Sequence, residues 1–418
     1  MEAVLDKLFN LIKKNPQEIY LVGGAVRDLF LNRKIKDFDF VLKNNVEEIS
    51  RGLAGMIDGT LVVLDQKRGV YRVIKGDGIY DFSRMKGDSI EEDLIKRDFT
   101  INAMGIPFNE YNLSIIKSVI REKNNLDKKE CTSSCKSLID PFAGKEDIKQ
   151  RTLKLVSENV IQDDPLRILR GVRFKEGLSL EVDPLTETLM KNNREGLEGV
   201  AEERIKDELL QIFSLCEIKK TVTYMEEQLE LLSFFFSELN GLKEIGQCKY
   251  HDEDVWTHSK LLLWVLEELR RDSDLKQYIN IDEVPLLRWS ALFHDIGKLE
   301  TERKINGKTH FRGHAKTGSK IMVQKMSKFK FSNKAIYYVK TLIRYHMRPL
   351  ALYCQEGVTS KAFYRFFTAA GELTPLVCIL SAADVISTRK VNNGEGKTQS
   401  YLEYIKIIIN KYENMERN

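Results

Sequence analysis

The sequence predicts an α/β head followed by an all-α remainder. Three observations carry this. Brief strand-like runs crowd residues 1–105, long helical patterns take over from about Asp147, and all six histidines lie beyond residue 250. Candidate strands are Ile19–Val22, Phe38–Leu42, Gly59–Leu64, Tyr71–Ile74 and Gly78–Phe82. Each is apolar or alternating and is bounded by Gly, Asp or Lys-rich turns. Helical periodicity marks Asp164–Phe174, Ala201–Phe213, Val255–Arg270 and Ala335–His346. At roughly 150 residues per domain, a chain of 418 residues predicts two or three domains. The boundaries expected are 1–150 for the head, 151–215 for a helical neck and 216–418 for a helical body.

Composition narrows the class. Hydrophobic residues make up 42% and charged residues 31%, enough for packed cores and against disorder. Net charge is only +4, which neither demands nor excludes nucleic acid; a local basic face would have to be found. Six scattered cysteines (Cys131, Cys135, Cys216, Cys248, Cys354 and Cys378) fit reduced thiols in a cytoplasmic protein. No run approaching the ~18 apolar residues of a membrane span is expected, and the first fifteen residues read as an amphipathic helix rather than a leader. Residues 109–136, rich in Lys, Asn and Ser, read as an inserted mobile loop, with Cys131 and Cys135 too isolated to form a metal site.

The first chemistry-bearing segment is LVGGAVRDLFLNRKIKDFDFVL. A Gly pair after a strand lets backbone N–H groups approach phosphate oxygens, and the following helix N-terminus adds its dipole. Asp37 and Asp39 alternate with Phe38 and Phe40, so both carboxylates share one face of a strand, roughly 6–7 Å apart. Such a pair can hold two Mg²⁺ ions, the bland alternative being a solvent-facing Asp-x-Asp turn. Asp81, in GIYDFSR, is the candidate third carboxylate.

KRDFTINAM, LIDPFAGKEDIKQRTLKLV, DDPLRILRGVRF and AEERIKDEL follow in order. With the first segment they resemble the five-motif series of class II tRNA nucleotidyltransferases and bacterial poly(A) polymerases, over about residues 18–213. The resemblance implies an α/β nucleotidyltransferase head, with a small mixed sheet, and a helical neck. It implies that Asp37, Asp39 and Asp81 are catalytic and that Asp37 and Asp39 bind metal. It makes Gly23, Gly24 and Arg27 triphosphate contacts, and Arg97, Asp98 and Asn102 ribose and phosphate contacts, with Asp98 reading a 2′-OH. Lys96 stands where the family has Arg and loses the bidentate fork.

In the same family Asp164 and Arg167 would pair with the incoming base. Cytosine and adenine both present an amine donor beside a ring-nitrogen acceptor. A carboxylate that only accepts and a guanidinium that only donates match that order and reject uracil and guanine. The bland alternative is an Asp164 N-cap with Pro165 at the first helical position and an ion pair three residues on. Arg170 and Arg173 continue an arginine face towards triphosphate or tRNA, and Arg204 and Glu208 are expected to pair one turn apart. The link from Asp81 to Lys96 is short, which resembles enzymes that stop after two C residues.

The series His258, His294-Asp295, His314, His346 and Asp384 resembles the HD-domain metal phosphohydrolases, over about residues 250–390. It implies an HD-type helical body, a primary site of His258, His294, Asp295 and Asp384, and a second metal or phosphate at His314 and His346. His310 rivals His314, and Lys298 is a phosphate contact. Imidazole with carboxylate suits Mn²⁺, Fe²⁺, Ni²⁺ or Mg²⁺. The function expected is metal-dependent addition of C residues, as CC or full CCA, to a tRNA 3′ end, beside phosphohydrolase activity in the HD body. The alternatives are a poly(A) polymerase, or an HD phosphohydrolase with an RNA-binding head. Partners expected are the tRNA acceptor arm and 3′ end, CTP and, for CCA, ATP; no membrane and no protein partner.

Overall fold

The computed structural model describes residues 1–35, 37–121, 137–245, 254–306, 308–391 and 395–416. The chain forms two compact units. One joins Met1–Arg167 to Leu178–Asn193; the other joins Ile168–Gly177 to Arg194–Asn418.

The first unit is built on a six-stranded mixed sheet. Its strands are β1 (Ile19–Val22), β2 (Asp37–Leu42), β3 (Thr60–Asp65), β4 (Val70–Lys75), β5 (Gly78–Arg84) and β6 (Gly105–Pro107), in the order β3-β4-β5-β2-β1-β6. Only β2 and β5 run parallel. The alternating pattern fixes the register, because one face must bury aromatics. Phe38 stacks on Tyr80 at 5.5 Å and Phe40 on Phe82 at 5.4 Å, with Phe108 edge-on to Phe40 at 5.1 Å. The carboxylates of β2 and β5 are thereby turned to the opposite face. Five strands lie where alternation placed them. β6 was missed because three residues are too few to show a period.

The inserted segment is not a loop throughout. Glu110–Arg121 is a helix that buries Leu113 and Ile116 and packs on the N-terminal helix Glu2–Lys14, where Lys117 Nζ sits 2.7 Å from Asp6 Oδ1. Its apolar positions recur at helical spacing beneath a polar composition, and that composition hid them. Cys131, Cys135, Cys248 and His251 lie outside the described residues. Strand signals do not end at Asp147 either. β7 (Thr152–Leu153) pairs with β8 (Glu181–Val182), and β9 (Arg303–Ile305) with β10 (Lys308–His310).

The second unit is helical. Trp289, fully buried, packs among Phe213, Phe236, Phe293 and Phe331 at centroid distances of 4.8 to 5.7 Å. Beside it the buried Arg288 donates to Glu267 at 2.7 and 2.8 Å and to the carbonyls of Phe213 and Leu215. A buried guanidinium is tolerated only when its donors are met in this way. One stretch, Ser360–Thr388, departs from the composition-based expectation by being apolar enough to cross a membrane. Its most apolar window is 83% buried within the protein, so it passes that test as a core helix.

Candidate active site and metal centre

In the first unit the strand register builds the site. Asp39 on β2 lies directly opposite Asp81 on β5, and Asp81 lies opposite Arg72 on β4. Three consecutive strands therefore present Arg72, Asp81 and Asp39 in a row on one face, with Asp37 two residues along. Arg72 forks onto Asp81, Nε to Oδ1 and Nη2 to Oδ2, both at 2.7 Å. The guanidinium is held more basic than usual, first by that hydrogen-bonded carboxylate, against some desolvation, and then by the charges of Asp37 and Asp39. Arg72 was not singled out from the sequence. Its signal was a lone charged residue in the otherwise apolar run VYRVI.

The Gly pair divides in role. Gly23 has φ +69°, ψ −136°, and a Cβ there would stand 3.0 Å from Arg97 Nη1 and 3.3 Å from Asp39 Oδ2. Only glycine takes this backbone and leaves the space. At Gly24 a Cβ would make ordinary contact with Arg27. The Arg97 guanidinium is steadied by buried Asp93 at 3.1 Å. Arg27 Nη1 donates to Asn102 Oδ1 at 2.8 Å, and Asn102 Nδ2 donates to buried Asp98 Oδ1 at 3.1 Å. The structure thus joins Arg27, Asn102 and Asp98 in one chain of hydrogen bonds. Lys96 is exposed and donates to the Lys86 carbonyl at 2.8 Å.

The neck segment differs in detail from expectation. The helix begins at Arg167, not at Pro165, and Asp164 Oδ1 accepts from Leu166 N–H at 3.3 Å. Arg167 donates to the carbonyls of Val160 at 2.8 Å and Lys96 at 2.6 Å, using two of its five N–H groups. Asp164 and Arg167 belong to the first unit, Arg170 and Arg173 to the second. Buried Glu208, expected to pair with Arg204, accepts from Arg173 at 2.7 Å and lies 3.8 Å from Arg170, partners that the sequence did not show. Helical spacing shows i,i+4 neighbours but is blind to a partner on another helix.

Loss of the fork at Arg72 has a measurable cost. For the nucleotide addition that the sequence resemblance leads one to expect at this row, an Arg72→Met variant should lower the rate at saturating Mg²⁺ by about tenfold to a hundredfold, because Asp81 is no longer held. The Mg²⁺ concentration for half-maximal rate falls with it, because a competing cation is gone. A Mg²⁺ titration of single-nucleotide addition reads both effects.

In the second unit five helices converge on a buried cluster. His258 comes from Val255–Leu269, His294 and Asp295 from the end of Val284–Phe293, His314 from the start of His314–Lys328, His346 from the end of Asn333–Tyr345, and Asp384 from Thr374–Val391. Gly297 makes the convergence possible. A Cβ there would stand 2.3 Å from the His314 carbonyl and 2.4 Å from Gly318 N, so two backbones meet where any side chain would part them. His258 Nε2 lies 3.1 Å from Asp384 Oδ1, His294 Nε2 3.1 Å from Asp295 Oδ2, and His314 Nε2 3.3 Å from both Asp295 Oδ1 and His346 Nε2. His310 instead lines the adjoining cavity of about 590 Å³, with Lys298, Arg312 and Met347.

The donor set fits a metal. Nδ1 of His294, His314 and His346 lies 2.8–2.9 Å from the carbonyl three residues earlier. A carbonyl only accepts, so each Nδ1 carries the proton and Nε2 turns its lone pair inward. His258, His294 and Asp295 form one group able to hold an ion; His294, His346 and Asp384, and Asp295, His314 and His346, form two more. Burial, with His294 and His314 nearby, pushes His346 down to about 3, so its imidazole is neutral at ordinary pH, as a ligand would need to be. Burial works against ionised Asp295, yet His294 and Lys298 hold it well below the usual carboxylate range. Burial also lowers His294, but Asp295 and Asp384 outweigh it and leave the imidazole raised. Lys298 Nζ, 2.5 Å from Asp295, supplies a further positive charge.

A poly A polymerase head-domain model matches residues 19–154, an HD-domain model residues 255–389, and a model for a probable RNA and SrmB-binding site of polymerase A residues 179–242. A CC-adding tRNA nucleotidyltransferase of Thermus thermophilus is 30% identical over 386 residues, covering 90% of this chain and 78% of that one. The chain belongs to the tRNA nucleotidyltransferase family. An A-adding tRNA nucleotidyltransferase of Deinococcus radiodurans is 29% identical over 387 residues, covering 91% and 79%. The nucleotidyltransferase also shares its fold with a CCA-adding enzyme solved with CTP, at TM-score 0.64, 21% identity and coverage of 96% and 81%. The expected architecture of nucleotidyltransferase head, helical neck and HD body therefore stands.

Proposed function

We propose that this nucleotidyltransferase adds C residues to a tRNA 3′ end lacking its CCA, using CTP, and works in the cytoplasm. The observation that carries the reading is the row of Asp39, Asp81 and Arg72 across three strands, beside Gly23 and Arg97. Asp37 and Asp39 would hold Mg²⁺, which supplies charge neutralisation at the α-phosphate and makes the RNA 3′-hydroxyl more acidic. Gly23 lets the triphosphate approach the backbone, and Arg97 and Arg27 meet its charge. Asp98, held by Asn102, faces the ribose, and Asp164 with Arg167 accepts and donates in the order that cytosine requires. The 3′-oxygen bonds to the α-phosphorus and pyrophosphate leaves; positioning and fixed charge lower the barrier.

Specificity for C rather than full CCA rests on the link after β5. Only residues 85–89 separate Arg84 from the helix Ile90–Leu94. That link is tied down by Met85 N–H to the Leu42 carbonyl at 2.9 Å and Lys86 N–H to Asp93 at 3.0 Å. A tether so fixed cannot reshape a base pocket from C to A. The A-adding relative keeps a second reading in view, in which the same rigidity fixes the pocket on adenine. In the HD body, the His/Asp cluster would hold Mn²⁺, Fe²⁺, Ni²⁺ or Mg²⁺ and hydrolyse phosphate esters brought to Lys298. With tRNA transcripts ending before CCA, after C and after CC, CTP alone extends the first two and stops after CC. Extension of the third alone, by ATP, would establish the A-adding reading, extension of all three would make the protein a full CCA-adding enzyme, and a long ATP ladder would make it a poly(A) polymerase.

A further inference from the structure

The near-neutral total charge conceals a segregation. Residues 303–355 contain 13 Lys and Arg and no Asp or Glu. At the chain's overall composition a run of this length would hold roughly eight acids. The run folds into β9, β10 and an antiparallel pair of helices, His314–Lys328 and Asn333–Tyr345, which pack on one another. Most cations on each helix are exposed. Lys316 and Lys320 follow at i,i+4 on the first; Lys334, Tyr337 and Lys340 follow at i,i+3,i+6 on the second; all five are exposed. Among the described residues, Lys325 is the only Lys or Arg of the run in an ion pair, to Glu238 at 2.9 Å. Single-signed charge on this scale opposes folding through self-repulsion. It is kept where a polyanion meets it, and an exposed tyrosine among the lysines offers a base a stacking surface.

We propose that this helix pair is the RNA-docking face of the HD unit, and that it takes the phosphate backbone of tRNA. The proposal rests on the tRNA reading above. The same run supplies His314, His346 and the cavity residue Arg312, so RNA lying along the face has its backbone beside the metal cavity.

The test uses the whole protein and a fluorescein-labelled tRNA transcript ending before CCA. Lys316, Lys320, Lys334 and Lys340 are changed together to Gln, and a control changes the exposed Lys14, Lys67, Lys276 and Lys411, which removes the same charge. Fluorescence anisotropy against salt should show binding at least tenfold weaker for the first variant. The slope of log K on log salt should be shallower by about three, since each phosphate contact contributes about 0.7–0.9. The control should keep its slope. At saturating tRNA both variants keep the wild-type kcat for CTP addition, because none of these lysines touches the transfer site. Equal slopes in the two variants would overturn the proposal. So would unchanged tRNA affinity with lost binding to phosphatidylglycerol vesicles, which would assign the face to a membrane. If the wild type binds the transcript but adds no nucleotide, the transfer reading fails and the docking face stands.

Discussion

Asp39→Ala lowers CTP incorporation by about a thousandfold or more, with little change in folding. Its carboxylate stands opposite Asp81 and beside the Gly23 turn, whereas Asp37 lies one pleat further along and is exposed. Given its proposed role as a metal ligand, removing it would take away metal charge that acts on the α-phosphate, and such charge is worth several kcal/mol in the transition state. Alanine leaves β2 paired on both sides and leaves the Phe38 and Phe40 stack beneath it intact. Single-turnover incorporation, with circular dichroism as the check on folding, reads the effect. Activity above a tenth of wild type would remove Asp39 from the metal site.

The second large effect belongs to the HD body. In wild type, Mn²⁺ at about a hundred times its Kd should stabilise the protein by about 2.7 kcal/mol. For a unit of this size that raises the Tm by roughly 5–10 °C. Asp295→Asn should abolish that rise and reduce hydrolysis of p-nitrophenyl phosphate esters about a thousandfold, while CTP addition persists. Asp295 is chosen because it touches His294, His314 and Lys298 at once. Asparagine keeps its volume but gives up the charge that balances Lys298, which is itself buried. Retention of the Mn²⁺ shift would show that the cluster does not bind the ion. Loss of CTP addition as well would mean that the substitution had damaged the whole chain.

What was legible in the sequence follows from periodicity and order. Asp37, Phe38, Asp39 and Phe40 announce a two-faced strand, and period two is enough to place both carboxylates on one face. The order of His258, His294, Asp295, His314, His346 and Asp384 announced a centre that five helices assemble. Partners across space were not legible. Arg72 meets Asp81 because β4 and β5 form a hairpin in a particular register, and Glu208 meets Arg173 from a different helix. Neither spacing is periodic. Elements of two or three residues, such as β6, β7 and β8, exist through their partners and leave almost no local trace.

One strand pair bears on how the protein is made. β8 comes from the returning segment Leu178–Asn193, yet it completes the first unit by pairing with β7, and Thr186 Oγ1 accepts from Leu155 N–H at 3.1 Å. A ribosome that has delivered residues 1–167 has supplied every carboxylate of the proposed transfer site but not the segment that closes its unit. At about 5–20 residues per second that segment follows within roughly one to five seconds. Until then Leu153 and Leu155, buried in the finished protein, have no cover on that side. A gene cut at residue 150 or 167 would make that interval permanent. A cut after 193 would carry Ile168–Gly177 away from the unit it packs in. The two units are thus threaded through one another, and recombination would pass them on together rather than trade them as separate modules.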